Sequence, residues 1–226
     1  MKIVGFGDSF ITSSVPEYGY TKLIAKHYNA EFETYAHEGS GAWDAYFQLT
    51  NYLNNNTAPD VVLCVWSVSH RLYHSEIRTL CYSSVVLNDN TPEKSPLRPI
   101  VDAAKEYYTH LFDLEKADTE HSMLYYWIDK ELPKKYPNTK FIHMWGFPKK
   151  HCDYDKPEEF EYLHHFTNSI EIRPALIHLS YMDQWPKDLS KETRINHLTP
   201  IMHRILASAI INAIENYNPG ILNIKL

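Results

Sequence analysis

Along the chain, apolar residues fall into short runs of strand length that alternate with stretches of helical spacing. Lys2 to Phe6 is a short apolar run that meets Gly7-Asp8-Ser9 at once, which predicts a first strand ending in a turn. Tyr20 to Tyr28 sets Leu23, Ile24, His27 and Tyr28 at helical spacing. Glu31 to Ala36 alternates Phe32 and Thr34 against Glu33 and Tyr35 and predicts a second strand. After Gly39-Ser40-Gly41, the residues Trp43, Tyr46, Phe47, Thr50 and Leu53 recur along one face of a predicted helix. Val61 to Trp66 is a near-continuous apolar run rich in β-branched residues. Such a run suits a strand covered on both faces, as in a parallel sheet.

From His70 to Pro99 the periodicity dissolves among polar residues and three prolines. So long an aperiodic stretch predicts an insertion at about 70–99. Ile100 to Lys116 and Asp118 to Lys135 read as two helices, and Lys140 to Trp145 as a fourth strand ending at Gly146. A second insertion, partly helical, is expected at about 151–173, and Leu176 to Tyr181 reads as a fifth strand. The last helix has the clearest start: Thr199 is placed to cap it and Pro200 takes the first position, where a missing N–H costs nothing. Strand–helix alternation over a single domain, 1–226, predicts a flavodoxin-like α/β fold, a doubly wound sheet of about five parallel strands. In such a sheet the active crevice lies beyond the carboxyl ends of the strands.

Composition narrows the function. The 226 residues are 44% hydrophobic and 14% aromatic, enough to build a core, and no run approaches the length of a membrane span. A net charge of −6 with scattered Lys and Arg leaves no electrostatic footprint for nucleic acid. The N-terminal segment has none of the features of a secretory signal, so a cytoplasmic protein is expected. Cys64, Cys81 and Cys152 form no CxxC pair, and Cys64 sits in an apolar run as a small hydrophobe. His151-Cys152-Asp153 and His164-His165 lack metal-ligand spacing, so neither metal nor cofactor is expected.

The strand-end positions hold the residues with chemistry. A serine on the first strand-to-helix turn exposes its hydroxyl at the sheet edge, and its own N–H can face an incoming carbonyl. A glycine after the second strand offers another N–H, so the two build an oxyanion hole. Serine is a weak nucleophile near neutral pH and needs a base, which a histidine just before the last helix would supply. Gly7-Asp8-Ser9-Phe10, with His197-Leu198-Thr199-Pro200 opening the last helix, resembles the SGNH or GDSL hydrolase family over essentially the whole chain. By that resemblance Ser9 is the nucleophile, His197 the general base, and the N–H groups of Ser9 and Gly39 the oxyanion donors. Asp8, beside the serine, is largely structural by the same resemblance.

The chain departs from the family at two places. The third block, which normally supplies an asparagine after strand three, is Val65-Trp66-Ser67-Val68-Ser69-His70-Arg71. Ser67 is the nearest positional match, with Ser69, His70 and Arg71 as other candidate donors. Arg194 stands where the family has the acid, so a Ser–His dyad is the conservative reading, with Asn196, Asp183 or Glu192 as groups to orient the ring.

The resulting expectation is a cofactor-free serine esterase acting on a small-molecule or carbohydrate ester, with O-acetyl carbohydrate preferred. Seventeen tyrosines, Tyr73, Tyr82 and Tyr154 among them as lid aromatics, suit stacking on sugar rings. The stripe Tyr107, Tyr108, Leu111 and Phe112 reads instead as core-facing. An acyltransferase and a non-catalytic glycan-binding or attachment protein on the same fold are the rival readings. The sequence leaves the oligomeric state open.

Overall fold

A computed structural model describes residues 1–12, 17–149, 161–182 and 198–224. In chain order the elements are β1 (Lys2–Phe6), α1 (Tyr20–Tyr28), β2 (Glu31–Thr34), α2 (Ala42–Asn55), β3 (Val61–Trp66), β4 (Arg71–His74), β5 (Arg78–Cys81), α3 (Arg98–His110), α4 (Leu114–Lys135), β6 (Lys140–Trp145), β7 (Ile170–Arg173), α5 (Leu176–Met182), α6 (Pro200–Glu215) and β8 (Gly220–Asn223). Six strands form one parallel sheet in the order β2-β1-β3-β6-β7-β8.

The two-residue period of the strands divides their side chains between two cores. Ile3, Val61, Leu63, Val65, Ile142 and Met144 pack on one face with Ile24 of α1 and Leu206 and Ile210 of α6. Val4, Phe6, Val62, Cys64, Trp66, Phe141 and Trp145 pack on the other with Leu49 and Tyr52 of α2 and Tyr125 and Ile128 of α4. Every residue of β3 is buried, as its unbroken apolar run predicts for a central parallel strand. The result is a three-layer α/β/α domain of the flavodoxin-like type, extended at one edge by β8.

Several expectations are corrected. Leu176 to Tyr181 is not a strand but lies in α5, and the fifth sheet position is filled by Ile170–Arg173, inside the expected second insertion. Short apolar runs do not by themselves distinguish strand from buried helix. The true strand was hidden by its charges: Glu171 is fully buried, accepting from Trp145 Nε1 at 2.8 Å and Arg173 Nε at 2.7 Å. Among the described residues the sheet has six strands, β8 lying at the edge beside β7.

In α2 the buried face is Ala42, Ala45, Leu49, Tyr52 and Leu53, and Phe47 is 43% exposed. Two alanines let the helix lie close to the sheet, while the bulkier Trp43, Tyr46 and Phe47 pack on one another along its flank. The break between α3 and α4 falls earlier than expected, because Asp113 caps α4 by accepting from Lys116 N–H at 2.8 Å. Of the stripe at the end of α3, Tyr108 is buried, whereas Leu111 is 74% exposed.

The first insertion is an ordered subdomain. Hairpin β4–β5, a π-helical turn at Ser83–Leu87 and α3 share a small core of Leu80, Val85, Val101, Ala104 and Tyr108. The Tyr108 hydroxyl accepts from Leu72 N–H at 3.1 Å and lies 2.7 Å from the His70 carbonyl, clamping the start of the hairpin. No helix among the described residues is long and apolar enough to cross a membrane.

Candidate active site

The chain runs from β1 to β2 on one side and returns to β3 on the other, so strand order reverses between β1 and β3. Side-chain and backbone groups at this reversal form the crevice of an open α/β sheet. The first block leaves β1 here. Gly7 has φ +142°, and a Cβ on it would lie 2.4 Å from the Val65 carbonyl, so only glycine lets β1 and β3 stay together at this point. Asp8 follows, 1% exposed, and draws the turn around itself: Phe10 N–H donates to its Oδ1 and Ile11 N–H to its carbonyl, each at 3.1 Å. Ser9 is half-buried at the crest of this turn. Among the described residues neither its hydroxyl nor its N–H has a hydrogen-bond partner.

The second block is a turn closed by Ser40 N–H donating to the His37 carbonyl at 3.1 Å, with Gly39 at φ +73° in the position that favours glycine. Gly41 N–H donates to Thr79 Oγ1 at 3.0 Å, so of the three N–H groups at Gly39, Ser40 and Gly41 only that of Gly39 is unclaimed among the described residues. Ser40 is held from below, its hydroxyl 3.0 Å from Asp44 Oδ2 in the first turn of α2.

Ser67, directly after β3, is 2% exposed. Its hydroxyl faces Asp8, yet it makes no hydrogen bond of normal geometry, and Asp8 Oδ2 makes none either. Burial pushes the Asp8 carboxyl up to about 6, against the pull of the Arg71 guanidinium and the Phe10 N–H. Gly146, at the end of β6, leaves the room: a Cβ there would sit 3.2 Å from Asp8 Oδ2.

Arg71, the first residue of the hairpin, ties the blocks together. Its Nη1 donates to the Ser40 carbonyl at 2.7 Å and lies 3.6 Å from Asp8 Oδ2, and its guanidinium stands over the Phe147 ring at 5.5 Å. Ser69 instead bonds Asp118 of α4. The expected lid aromatics have packing partners: Tyr73 meets Phe47 at 4.9 Å between ring centres and Tyr82 meets Tyr108 edge-on at 6.1 Å.

His197, Asn196, Asp183, Glu192 and Arg194 lie outside the described residues, as do Cys152 and Tyr154. The chain after them is in place. Thr199 caps α6, its Oγ1 accepting from Met202 N–H at 3.3 Å, and Leu198 belongs to the same core as Phe10 and Ile11. Tyr20 N–H donates to His203 Nδ1 at 3.2 Å, which binds the start of α6 to the start of α1. Thus Ser9, Gly39 and Ser67 follow the carboxyl ends of β1, β2 and β3 at one edge of the sheet, and Leu198, next to the α6 cap, shares a core with Phe10 and Ile11. Sequence reasoning undervalued Asp8 and Arg71. Their signal was weak, since an acid and a base 63 positions apart carry no local pattern.

The first block keeps Gly7-Asp8-Ser9-Phe10, the residues on which the resemblance to the SGNH hydrolases rests. No family model and no curated protein matches it by sequence. Among solved structures it is similar to an alpha/beta hydrolase from the metagenome of Lake Arreo, Spain, with 11% identity, TM-score 0.49 and 96% of each chain covered. It is similar to a member of the lipolytic G-D-S-L family from Veillonella parvula, with 12% identity, TM-score 0.41 and coverage of 95% of this chain and 97% of that one. The acetyl xylan esterase AlAXEase is a third, with 14% identity, TM-score 0.37 and coverage of 99% and 77%. The chain spans 45 to 77% of the length of the carbohydrate and acetyl xylan esterase chains it matches.

Proposed function

We propose that this protein is a serine ester hydrolase of the SGNH type. The observation that carries the reading is the placement of Ser9 on the turn after β1, with its own N–H and that of Gly39 left unclaimed at the same sheet edge. In this reading Ser9 Oγ attacks an ester carbonyl carbon and its proton passes to the His197 imidazole. The carbonyl electron pair moves onto oxygen, where the N–H groups of Ser9 and Gly39 receive it. Collapse of that oxyanion expels the alcohol, which takes the proton from His197, and water repeats the sequence on the acyl-Ser9 ester to release the acid. The preferred substrate is a short acyl ester such as an O-acetyl group on carbohydrate, in keeping with exposed aromatic side chains such as Tyr35, Tyr82 and Trp127.

The test is labelling with a fluorophosphonate probe. Wild type labels, Ser9→Ala does not, and His197→Ala labels at least about 100-fold more slowly. Folded wild-type protein that takes no label sinks the reading and favours a non-catalytic binding protein on this fold.

A further inference from the structure

The third block lacks the amide that would complete an oxyanion hole, and three of the candidates that replace it, Ser67, Ser69 and Arg71, are separable by geometry. Ser67 is enclosed and turned toward Asp8. Ser69 is committed to Asp118. Arg71 is different. A guanidinium carries five N–H donors in a rigid fork. Here Nη1 is engaged by Ser40 O and Asp8, while Nε and Nη2 have no partner among the described residues. The side chain is 17% exposed, so these donors are not simply bathed in solvent.

Its position is over-determined. Arg71 pairs with Cys81 across the hairpin, and the hairpin is clamped by Tyr108. The guanidinium rests on Phe147, which itself packs edge-on against Phe10, the neighbour of Ser9, at 5.9 Å. Nothing in this arrangement neutralises Arg71 fully. Its nearest carboxyl, Asp8, lies 3.6 Å from Nη1, beyond hydrogen-bond distance, and leaves Nε and Nη2 free among the described residues.

Resting on the Ser9 reading, we infer that Arg71 supplies the side-chain donor to the oxyanion, in place of the absent asparagine. When Ser9 attacks, the negative charge that develops on the former carbonyl oxygen is met by two backbone N–H groups and the unclaimed edge of this guanidinium. When the intermediate collapses, the charge leaves, and the Nη1 contacts with Ser40 and Asp8 hold Arg71 in place throughout. A cation in a partly buried crevice stabilises such a charge more than a neutral amide does. The insertion is then a working part of the site, because it delivers this donor.

The experiment compares wild type with Arg71→Gln and Arg71→Lys, reading the rate of fluorophosphonate labelling, p-nitrophenyl acetate turnover, the inhibition constant of phenylboronic acid and the unfolding midpoint. A boronic acid becomes a tetrahedral anion on the serine and so reports on the oxyanion site directly. Arg71→Gln is expected to lose about 10²- to 10³-fold in labelling rate and kcat, with KM changed less than about threefold. Boronate affinity should fall in parallel with kcat. Arg71→Lys, keeping the charge without the fork, should recover part of both. The inference is overturned if Arg71→Gln keeps kcat within about threefold of wild type, or if the loss lies in KM. It is equally overturned if boronate affinity stays unchanged while the unfolding midpoint drops. Absence of labelling in wild type would defeat the Ser9 reading itself, a result distinct from these.

Discussion

Asp8 and Asp129 are both cut off from solvent, at 1% and 0% exposure, yet their carboxyls shift in opposite directions. Asp129, on α4, accepts from Thr167 N–H and Oγ1, Asn168 N–H and Nδ2, and Ser169 Oγ at distances of 2.9 to 3.2 Å. Burial by itself would push it up. The His164 imidazole 3.7 Å away and hydrogen bonds from the Thr167–Asn168 turn reverse that and hold it well below the usual carboxylate range. Asp8 has one backbone N–H on Oδ1 and, at Oδ2, no hydrogen bond but only the Arg71 guanidinium at 3.6 Å, so burial wins and the carboxyl rises to about 6. The saturated carboxylate locks the turn that leads into β7. The under-satisfied one lies beside the candidate nucleophile. The contrast shows where this fold tolerates unmet polar groups: at the crevice, and not at its structural joints.

Removing the locked carboxylate should have the largest effect. Asp129→Ala leaves several donors without an acceptor and should cost about 3–5 kcal/mol at pH 7, read by urea unfolding. Because its folded value is depressed, the charge's contribution is present above the unfolded value, about 3.9, and is lost as pH falls below it. The gap between variant and wild type should therefore narrow toward pH 2. A loss under about 1 kcal/mol would erase the comparison.

Asp8→Asn should move stability the other way. A carboxyl raised from 3.8 to about 6 binds its proton more tightly in the folded state. Its contribution is full below about pH 4 and is lost as pH rises through about 6, leaving a cost of roughly 3 kcal/mol at pH 8. The asparagine variant should lack this slope and be the more stable protein at pH 8. Stability curves for the two proteins that run parallel from pH 4 to 8 would show that Asp8 carries no such cost.

Gly146→Ala sharpens the same point from outside. Its Cβ would stand 3.2 Å from Asp8 Oδ2 and 3.3 Å from the Trp66 carbonyl, and should cost about 1–2 kcal/mol while pushing the Asp8 titration higher. Carbon-13 NMR of the Asp8 carboxyl would follow that shift, and an unmoved midpoint would count against crowding. Thr199→Ala supplies the scale of an ordinary satisfied cap, about 1 kcal/mol by thermal or urea unfolding with no pH dependence between 4 and 8.

The strands with strong local patterns, Lys2–Phe6, Val61–Trp66 and Lys140–Trp145, were legible because their apolar runs are dictated by burial on two faces. Ile170–Arg173 was not, since Glu171 and Arg173 satisfy each other inside the fold, and a buried ion pair reads as surface in a sequence. In α2 the face against the sheet carries Ala42 and Ala45, which a hydrophobic pattern underweights because close packing selects small residues. At the site, Ser9, Gly39 and Ser67 are recognisable from position and turn chemistry. Arg71 stands in the sequence only as one of several candidate donors, because what distinguishes it is the free edge of its guanidinium at a crevice built by other elements.

By itself the sequence determined the alternation of strands and helices, the turn that exposes Ser9, the cap that starts α6 and the absence of an asparagine in the third block. Each is written in local propensity or in a short motif. Only the tertiary structure decided which strand fills the fifth place, that the insertion is an ordered subdomain, and that Asp8 and Asp129 have opposite fates. Those outcomes depend on how many donors converge on one buried group from elements distant in the chain, a quantity that no window of sequence contains.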